Sequence, residues 1–586
     1  MTSSLFGALS ISRRTVWRAA LPLLLTAVIA ACGGGGTVPA SGVELRALSA
    51  DFATRKMVSY SPFRSSNRDT EVVTAAMVKE DLSLLLAGGF NMIRLFDSSD
   101  SVAKLTLQVI QDNQLDMKVM LGAYVASESK TGLTAQQKAD NQAFNKAEMA
   151  RAIALANDPK FKSTVLAVSV GNEAMVVWSD HATDPAIVAA YIKQVRAQIT
   201  QPVTTDDDRA FYTQAPGTIT DVIDFASVHT YPLAETISPG ESWDWQQQAV
   251  PEAQRAVAMM DAAIARADFH YKAVRAHLDS KSLSKMPIII GETGWKAEPN
   301  KGEFNRAHPV NQGMYFERLK TWADKTKTPG GPLNVIYFEA FDEPWKGDDD
   351  KWALFTVARK ARYMVEGLYP AGQLDKPVGT YKASDAVYAP TIVATTITAN
   401  RYTVYADTVT TGEAIASNLL WFGFDSPPNA FTGEGSNAAL AAEGTTFREI
   451  QPAPANASAY GWGLLATNNT SADLSQFTGG RLNLSIKTTY PGKLMIGFIT
   501  TGTDGKDVNV SRPISNTNAD GYGFVNDGQW HQVSIPVSYL TSGQATVNLG
   551  KVTFPIVISD IYATTGNTTA KGDKTKIFVD GIYWSK

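Results

Sequence analysis

Two apolar runs that end abruptly in glutamate constrain this chain more than any other feature. They are Val168-Ser169-Val170-Gly171-Asn172-Glu173 and Pro287-Ile288-Ile289-Ile290-Gly291-Glu292-Thr293-Gly294-Trp295. A continuous Val/Ile/Leu run bounded by glycine reads as a strand buried on both faces, as in a parallel sheet covered by helices. A carboxylate at the carboxyl end of such a strand sits where α/β barrels place their chemistry. One glutamate alone also suits the start of the next helix, where acidic residues are favoured. Two in corresponding places point to paired carboxyl chemistry.

The rest of the first 390 residues fits that frame. Further β runs are read at Lys56–Pro62, Phe90–Phe96, Met117–Tyr124, Pro202–Thr205, Ile223–His229 and Asn334–Phe341, making eight in all. Helical patterns alternate with them at Thr74–Leu86, 101–113, 135–157, Pro185–Ile199 (with Asp184 as N-cap), Pro251–Leu278, 310–325 and 351–368. This alternation predicts a (β/α)8 TIM barrel over residues 45–390. A doubly wound open sheet would more naturally carry a Gly-rich phosphate loop after its first strand, and none is present. Past about residue 390, Thr, Asn, Gly and Ser become frequent and short alternating runs replace helical periodicity. Residues 391–586 are therefore expected to form an all-β jelly-roll or sandwich domain.

Lys+Arg (53) nearly balances Asp+Glu (57), for a formal net charge of −4, which gives no electrostatic ground for a nucleic-acid partner. The single cysteine, Cys32, excludes an intramolecular disulfide framework and a Cys-rich metal site. It follows a basic stretch, Arg13-Arg14-Thr15-Val16-Trp17-Arg18, and an apolar run too short to span a bilayer comfortably. Ile29-Ala30-Ala31-Cys32 resembles a bacterial lipobox. Residues 1–32 are thus expected to be a lipoprotein signal peptide with Cys32 lipidated, and 33–44 a flexible tether. Gly33 after the cysteine implies, by the same resemblance, a lipid-anchored protein of the bacterial cell envelope, at the outer membrane.

Cleavage of a glycosidic bond with retention needs two carboxyl groups about 5–5.5 Å apart, one protonated and one ionised. Glutamates ending strands 4 and 7 can converge across a barrel mouth in that way. The ordered motifs Ser59-Tyr60-Ser61-Pro62-Phe63-Arg64, Ile93-Arg94-Leu95-Phe96, Val170-Gly171-Asn172-Glu173, Ser227-Val228-His229-Thr230-Tyr231-Pro232, Gly291-Glu292-Thr293-Gly294-Trp295 and Tyr337-Phe338-Glu339-Ala340-Phe341-Asp342-Glu343-Pro344-Trp345-Lys346 carry a specific resemblance. Together they resemble glycoside hydrolase family 17, the β-1,3-glucanases and β-1,3-glucanosyltransferases. The resemblance implies Glu173 as acid/base, Glu292 as nucleophile and Asn172 as the partner of the sugar 2-OH. Arg94 and Tyr231 are candidate donors that keep the nucleophile ionised, and His229 either orients a carboxylate or touches sugar. Tyr60 and Glu339 are expected at subsites, and Trp295 and Trp345 as stacking platforms.

The expected activity is retaining hydrolysis of a laminarin-like β-1,3-glucan, with glucanosyl transfer on the same substrate as the alternative. A non-catalytic surface glycan-binding protein is the competing class. No cofactor and no catalytic metal are expected, and the tracts Asp206-Asp207-Asp208 and Asp348-Asp349-Asp350 read as solvated turns. The C-terminal unit resembles β-sandwich carbohydrate-binding modules, with Trp421, Trp462, Tyr522 and Trp530 as candidate sugar platforms or core residues. A structural calcium there stays open. Partners are thus a β-glucan and, through the anchor, a membrane. Oligomeric state is not legible.

Overall fold

Eight short parallel strands close on themselves: β1 (Met57–Ser59), β2 (Met92–Arg94), β3 (Lys118–Ala123), β4 (Val165–Asn172), β5 (Val203–Asp208), β6 (Ala226–His229), β7 (Ile288–Thr293) and β8 (Val335–Tyr337), with β8 paired back onto β1. The structure is a computed structural model. It describes residues 44–586 other than 177, 237–242, 301–302, 325–327, 329, 370–373, 375–378, 418, 425–430, 436–437, 451–460, 467–469, 517–520 and 561–574. The expected signal peptide, Cys32 and the tether up to residue 43 lie outside the described residues. Among those described, no helix is long and apolar enough to cross a membrane. Residues 44–233 with 260–387 gather into one compact unit, and 234–259 with 388–586 into a second.

In the first unit the helices start where their caps dictate. The Thr74, Thr134 and Asp184 side chains accept from the first-turn N–H groups of Ala75–Ala87, Ala135–Asn157 and Pro185–Gln198, and Pro185 occupies the first turn, where no N–H is needed. One layer of side chains fills the lower end of the barrel. Met57, Met92, Met120, Ala167, Ile289 and Ile336 come from the strands, Phe225 precedes β6, and Phe52 rises from the short helix Ala50–Thr54. With that end packed, the polar strand ends converge at the other, carboxyl end.

Two elements differ from expectation. Strand β5 runs on to Asp208, so Asp206, Asp207 and Asp208 are buried strand residues rather than a solvated turn. The helix expected over 351–368 is only Tyr363–Glu366, because Trp352, Leu354 and Phe355 lie instead in a buried irregular segment, with Phe355 bridging to Phe341. In the second acidic tract Asp350 is also buried, where its Oδ1 accepts the Glu343 N–H at 2.9 Å.

The second unit carries two seven-stranded, mostly antiparallel sheets. Alternation builds it: in Arg481–Thr488, Leu482, Leu484 and Ile486 point to the core while Arg481, Ser485 and Lys487 stay at least partly exposed. Ile577–Ser585 pairs with that strand along its length, and Trp584 and Trp462 are among the largest fully buried side chains.

Phe52 closes the lower end of the barrel, fully buried and packed edge-on against Phe225. Phe52→Ala is expected to lower stability by about 3–5 kcal/mol through lost burial and the cavity left behind. Urea unfolding of the variant against the parent chain checks this.

Candidate active site

Both glutamates emerge at the barrel mouth, but by different local routes. Gly171, near the end of β4, stands at φ +88°, and Glu173, the residue just past the strand, at φ +48°. Left-handed backbone costs a non-glycine residue about 1–2 kcal/mol, and β5 holds Glu173 in it. The Glu173 N–H donates to the Asp206 carbonyl at 2.8 Å, and the next turn is fixed by the Met175 N–H on Asp207 Oδ2 at 2.9 Å. Glu292 needs no such bend, since it lies within β7 and is 2% exposed. An oxygen of Glu173, an oxygen of Glu292 and a ring nitrogen of His229 all lie within 4.8 Å of one another.

Arg94, the last residue of β2, organises the Glu292 side. Its Nε donates to Asp206 Oδ2 at 2.7 Å, its Nη1 to Glu292 Oε1 at 2.6 Å, and its Nη2 to Asn172 Oδ1. The Tyr231 hydroxyl donates to Glu292 Oε2 at 2.6 Å. His229 Nδ1 sits 3.0 Å from Glu173 Oε1 and 3.5 Å from Glu292 Oε2, between the two carboxyl groups.

The electrostatics follow from these contacts. Burial pushes the Glu292 carboxyl up, but His229 and Arg94 outweigh it and hold Glu292 below the usual glutamate range, with the Tyr231 hydrogen bond adding to them and Glu173 opposing. Burial lowers His229, yet the two glutamates raise it above its ordinary value. Burial first and then Glu173 lift Asp207 well above the aspartate range. Among the described residues Glu173, His229 and Glu292 are the one trio close enough to hold a metal ion. Both Glu292 oxygens already serve Arg94 and Tyr231, which suits an acid–base cluster better than a metal cradle.

A second charged cluster follows β8. Lys346 binds both Glu339 and Glu343, and all three are buried. Burial and then Glu343 drive Glu339 well above the usual range despite Lys346, whereas in Glu343 the pull of Lys346 overcomes burial and leaves it below. Trp345 Nε1 donates to Glu343 Oε1 at 3.2 Å, and the Arg68 guanidinium stands 3.9 Å above the Trp345 ring.

The structure therefore gathers Glu173, Glu292, Arg94, Asn172, His229 and Tyr231 in one hydrogen-bonded group, and puts Glu339 and Trp345 in the Lys346 cluster. Tyr60 and Trp295 are elsewhere. The Tyr60 hydroxyl is buried against Asp81 at 3.1 Å, an aspartate that also binds Arg359. Trp295 is 0% exposed, donates to the Arg306 carbonyl at 2.9 Å and packs on Tyr315, so it presents no face to a sugar. In the second unit Trp462 is a core residue with Trp421 against it, while Trp530 is half-buried and donates to the Leu440 carbonyl at 2.9 Å. Sequence reasoning missed Asp206, Asp207 and Lys346. The signal for the two aspartates was weaker, since they directly follow the short β run Pro202–Thr205, whose two threonines make it less apolar than the runs that end in the glutamates.

Residues 57–353, just over half of the 586, match the BtgE/BtgC glycoside hydrolase domain. The chain belongs to this family. The BtgE/BtgC match takes in all eight barrel strands and every residue of both charged clusters. Residues 425–586 match carbohydrate binding domain 30. Curated relatives include the probable glucan endo-1,3-beta-glucosidases btgC of Aspergillus flavus, 23% identical over 298 residues (46% of this chain, 37% of the relative), and of Aspergillus clavatus, 23% identical over 313 residues (49% and 38%). The chain thus spans well under half the length of these relatives. Similar solved structures include an endo-laminarinase from Formosa (24% identity, TM-score 0.48, 55% of this chain and 91% of that one) and a family 17 β-1,3-glucanosyltransferase from Rhizomucor miehei (23%, 0.37, 54% and 98%).

In this BtgE/BtgC glycoside hydrolase, Glu292 ionises more readily folded than unfolded. Its contribution to stability is therefore full above the unfolded glutamate value and is lost as pH falls through the folded one. Tyr231→Phe removes one donor and should raise the Glu292 pKa. Titration of labelled glutamate carboxyls by carbon-13 NMR reads the shift, and an unmoved resonance would show that the hydroxyl does not act on Glu292.

Proposed function

We propose that the barrel is a retaining glycosidase acting on β-1,3-glucan through a covalent glycosyl-enzyme intermediate, with Glu292 as nucleophile and Glu173 as acid/base. The observation that carries this reading is the approach of a Glu173 oxygen and a Glu292 oxygen to within 4.8 Å. That spacing suits direct attack by a carboxylate, with carboxyl groups about 5–5.5 Å apart, and not the separation of about 6.5–9.5 Å that leaves room for a water. The different surroundings of the two glutamates support the division of labour. Glu292 is kept ionised by a cation and a phenol, as a nucleophile requires.

In the first step a Glu292 oxygen bonds to the anomeric carbon while the glycosidic C–O bond breaks and the leaving oxygen takes the proton of Glu173. In the second, Glu173 takes a proton from the incoming hydroxyl, whose oxygen bonds to the anomeric carbon and releases Glu292. His229 holds Glu173 in reach of both positions. Because Arg94 engages Asn172 Oδ1, the Asn172 amide turns its N–H groups to the sugar, where the 2-OH lies.

The β-1,3 linkage is supported by the name of the Aspergillus relatives. An incoming water gives hydrolysis and an incoming sugar hydroxyl gives transfer, and the same intermediate serves both. The second unit is read as the part that holds glucan near the barrel, and Cys32 as the lipid attachment point.

Full-length chain incubated with linear β-1,3-glucan oligosaccharides, with products sized by mass spectrometry, tests the reading. Only shorter products mean hydrolysis, while longer ones as well mean transfer. Glu173→Gln should lose about 10²- to 10⁴-fold in turnover, and Glu292→Ala should abolish it. Full activity in Glu292→Ala would sink the assignment.

A further inference from the structure

The aim of the Arg94 guanidinium depends on a carboxylate that takes no part in the bond changes. Asp206, 1% exposed on β5, has two side-chain partners: Arg94 Nε on Oδ2 at 2.7 Å and the Ser227 hydroxyl on Oδ1. Arg94 is planar and its other two nitrogens reach Glu292 and Asn172, so turning it off Asp206 would misplace both of those contacts. The backbone of β7 is pressed against the same pair. A Cβ added to Gly291 would stand 2.3 Å from Ser227 Oγ and 2.9 Å from Asp206 Oδ1, so the pair occupies the space that any side chain at 291 would need. Strands β2, β5, β6 and β7 thus meet at this one carboxylate.

We propose that Asp206 is a positioning residue for formation of the glycosyl-enzyme, fixing Arg94 so that the Glu292 carboxylate and the Asn172 amide keep their attack geometry. The inference rests on Glu292 being the nucleophile. The charged and titratable groups facing Glu292 are Arg94 from β2, Glu173 after β4, His229 from β6 and Tyr231 just after it. Asp206 faces Arg94 alone among charged groups in direct contact. Asp206→Asn keeps the size of the side chain but removes its charge and sets an amide N–H group against one of its two donors, Arg94 Nε or the Ser227 hydroxyl.

A 2-deoxy-2-fluoro-β-laminaribiosyl fluoride isolates the step. Glu292 Oε bonds to the anomeric carbon, the C–F bond breaks and fluoride departs, and no proton from Glu173 is needed. Intact-protein mass follows the ester on the full chain, and peptide mapping locates it. Asp206→Asn is expected to label at Glu292 about 10²-fold more slowly, the loss typical of a small misplacement. The inactivation rate constant should fall while half-saturation changes little. Its acidic pH limb should move up, because a loosened Arg94 lowers the Glu292 pKa less. Ser227→Ala, which removes only a hydroxyl, should shift both readouts the same way by less, and it carries the test if Asp206→Asn does not fold. Asp224→Asn, altering a buried aspartate that binds Arg196 ahead of β6, should label at the parent rate. Parent-like rates and pH profiles in both Asp206→Asn and Ser227→Ala overturn the proposal, as does equal slowing in Asp224→Asn. Labelling of the parent chain at a residue other than Glu292 overturns the nucleophile assignment instead, and the inference with it.

Discussion

A fully buried guanidinium, that of Arg94, sets the terms for everything at the barrel mouth. Removing such a charge from solvent costs several kcal/mol, recovered only where each donor finds a well-placed acceptor. Arg94 has Asp206, Glu292 and Asn172 in those places, each from a different strand or strand end. The arrangement draws Glu292 to the ionised state and turns the Asn172 amide. It also requires Gly291 in β7, since any side chain there would collide with the Ser227–Asp206 pair. The two glutamates share a histidine and are both buried, yet the cation reaches only one of them directly. That asymmetry is the ground for proposing Glu292 as nucleophile and Glu173 as acid.

The fold was legible strand by strand. All eight barrel strands overlap the β runs read from the sequence, and the caps Thr74, Thr134 and Asp184 opened helices as their chemistry requires. The two glutamates were legible from their places at strand ends, and the four residues gathered with them from the motifs that resemble glycoside hydrolase family 17. Side-chain surroundings were not. Asp206 and Asp207 read as a charge run, and only the continuation of β5 into the mouth buried them. Trp295 read as a platform from its place after β7. The helix Pro309–Ala323 packs Tyr315 over it, a contact that nothing local to Trp295 announces.

The second unit shows the same division. Period-two alternation told which strands form the sandwich, while it could not separate core tryptophans from exposed ones, because a tryptophan suits either face. Trp462 lies among the buried residues, and Trp530 stays half-exposed beside Phe447.

The pairing of charges at the barrel mouth has a consequence for encounter. Asp206 and Glu292 surround Arg94, and Glu339 and Glu343 surround Lys346, with opposite charges a few ångströms apart. Such close pairs project little field beyond one Debye length, about 8 Å at physiological ionic strength. A neutral glucan would feel no pull from them in any case. For the neutral glucan proposed as substrate, capture depends on contact rather than on long-range steering, and its association would be nearly indifferent to dissolved salt.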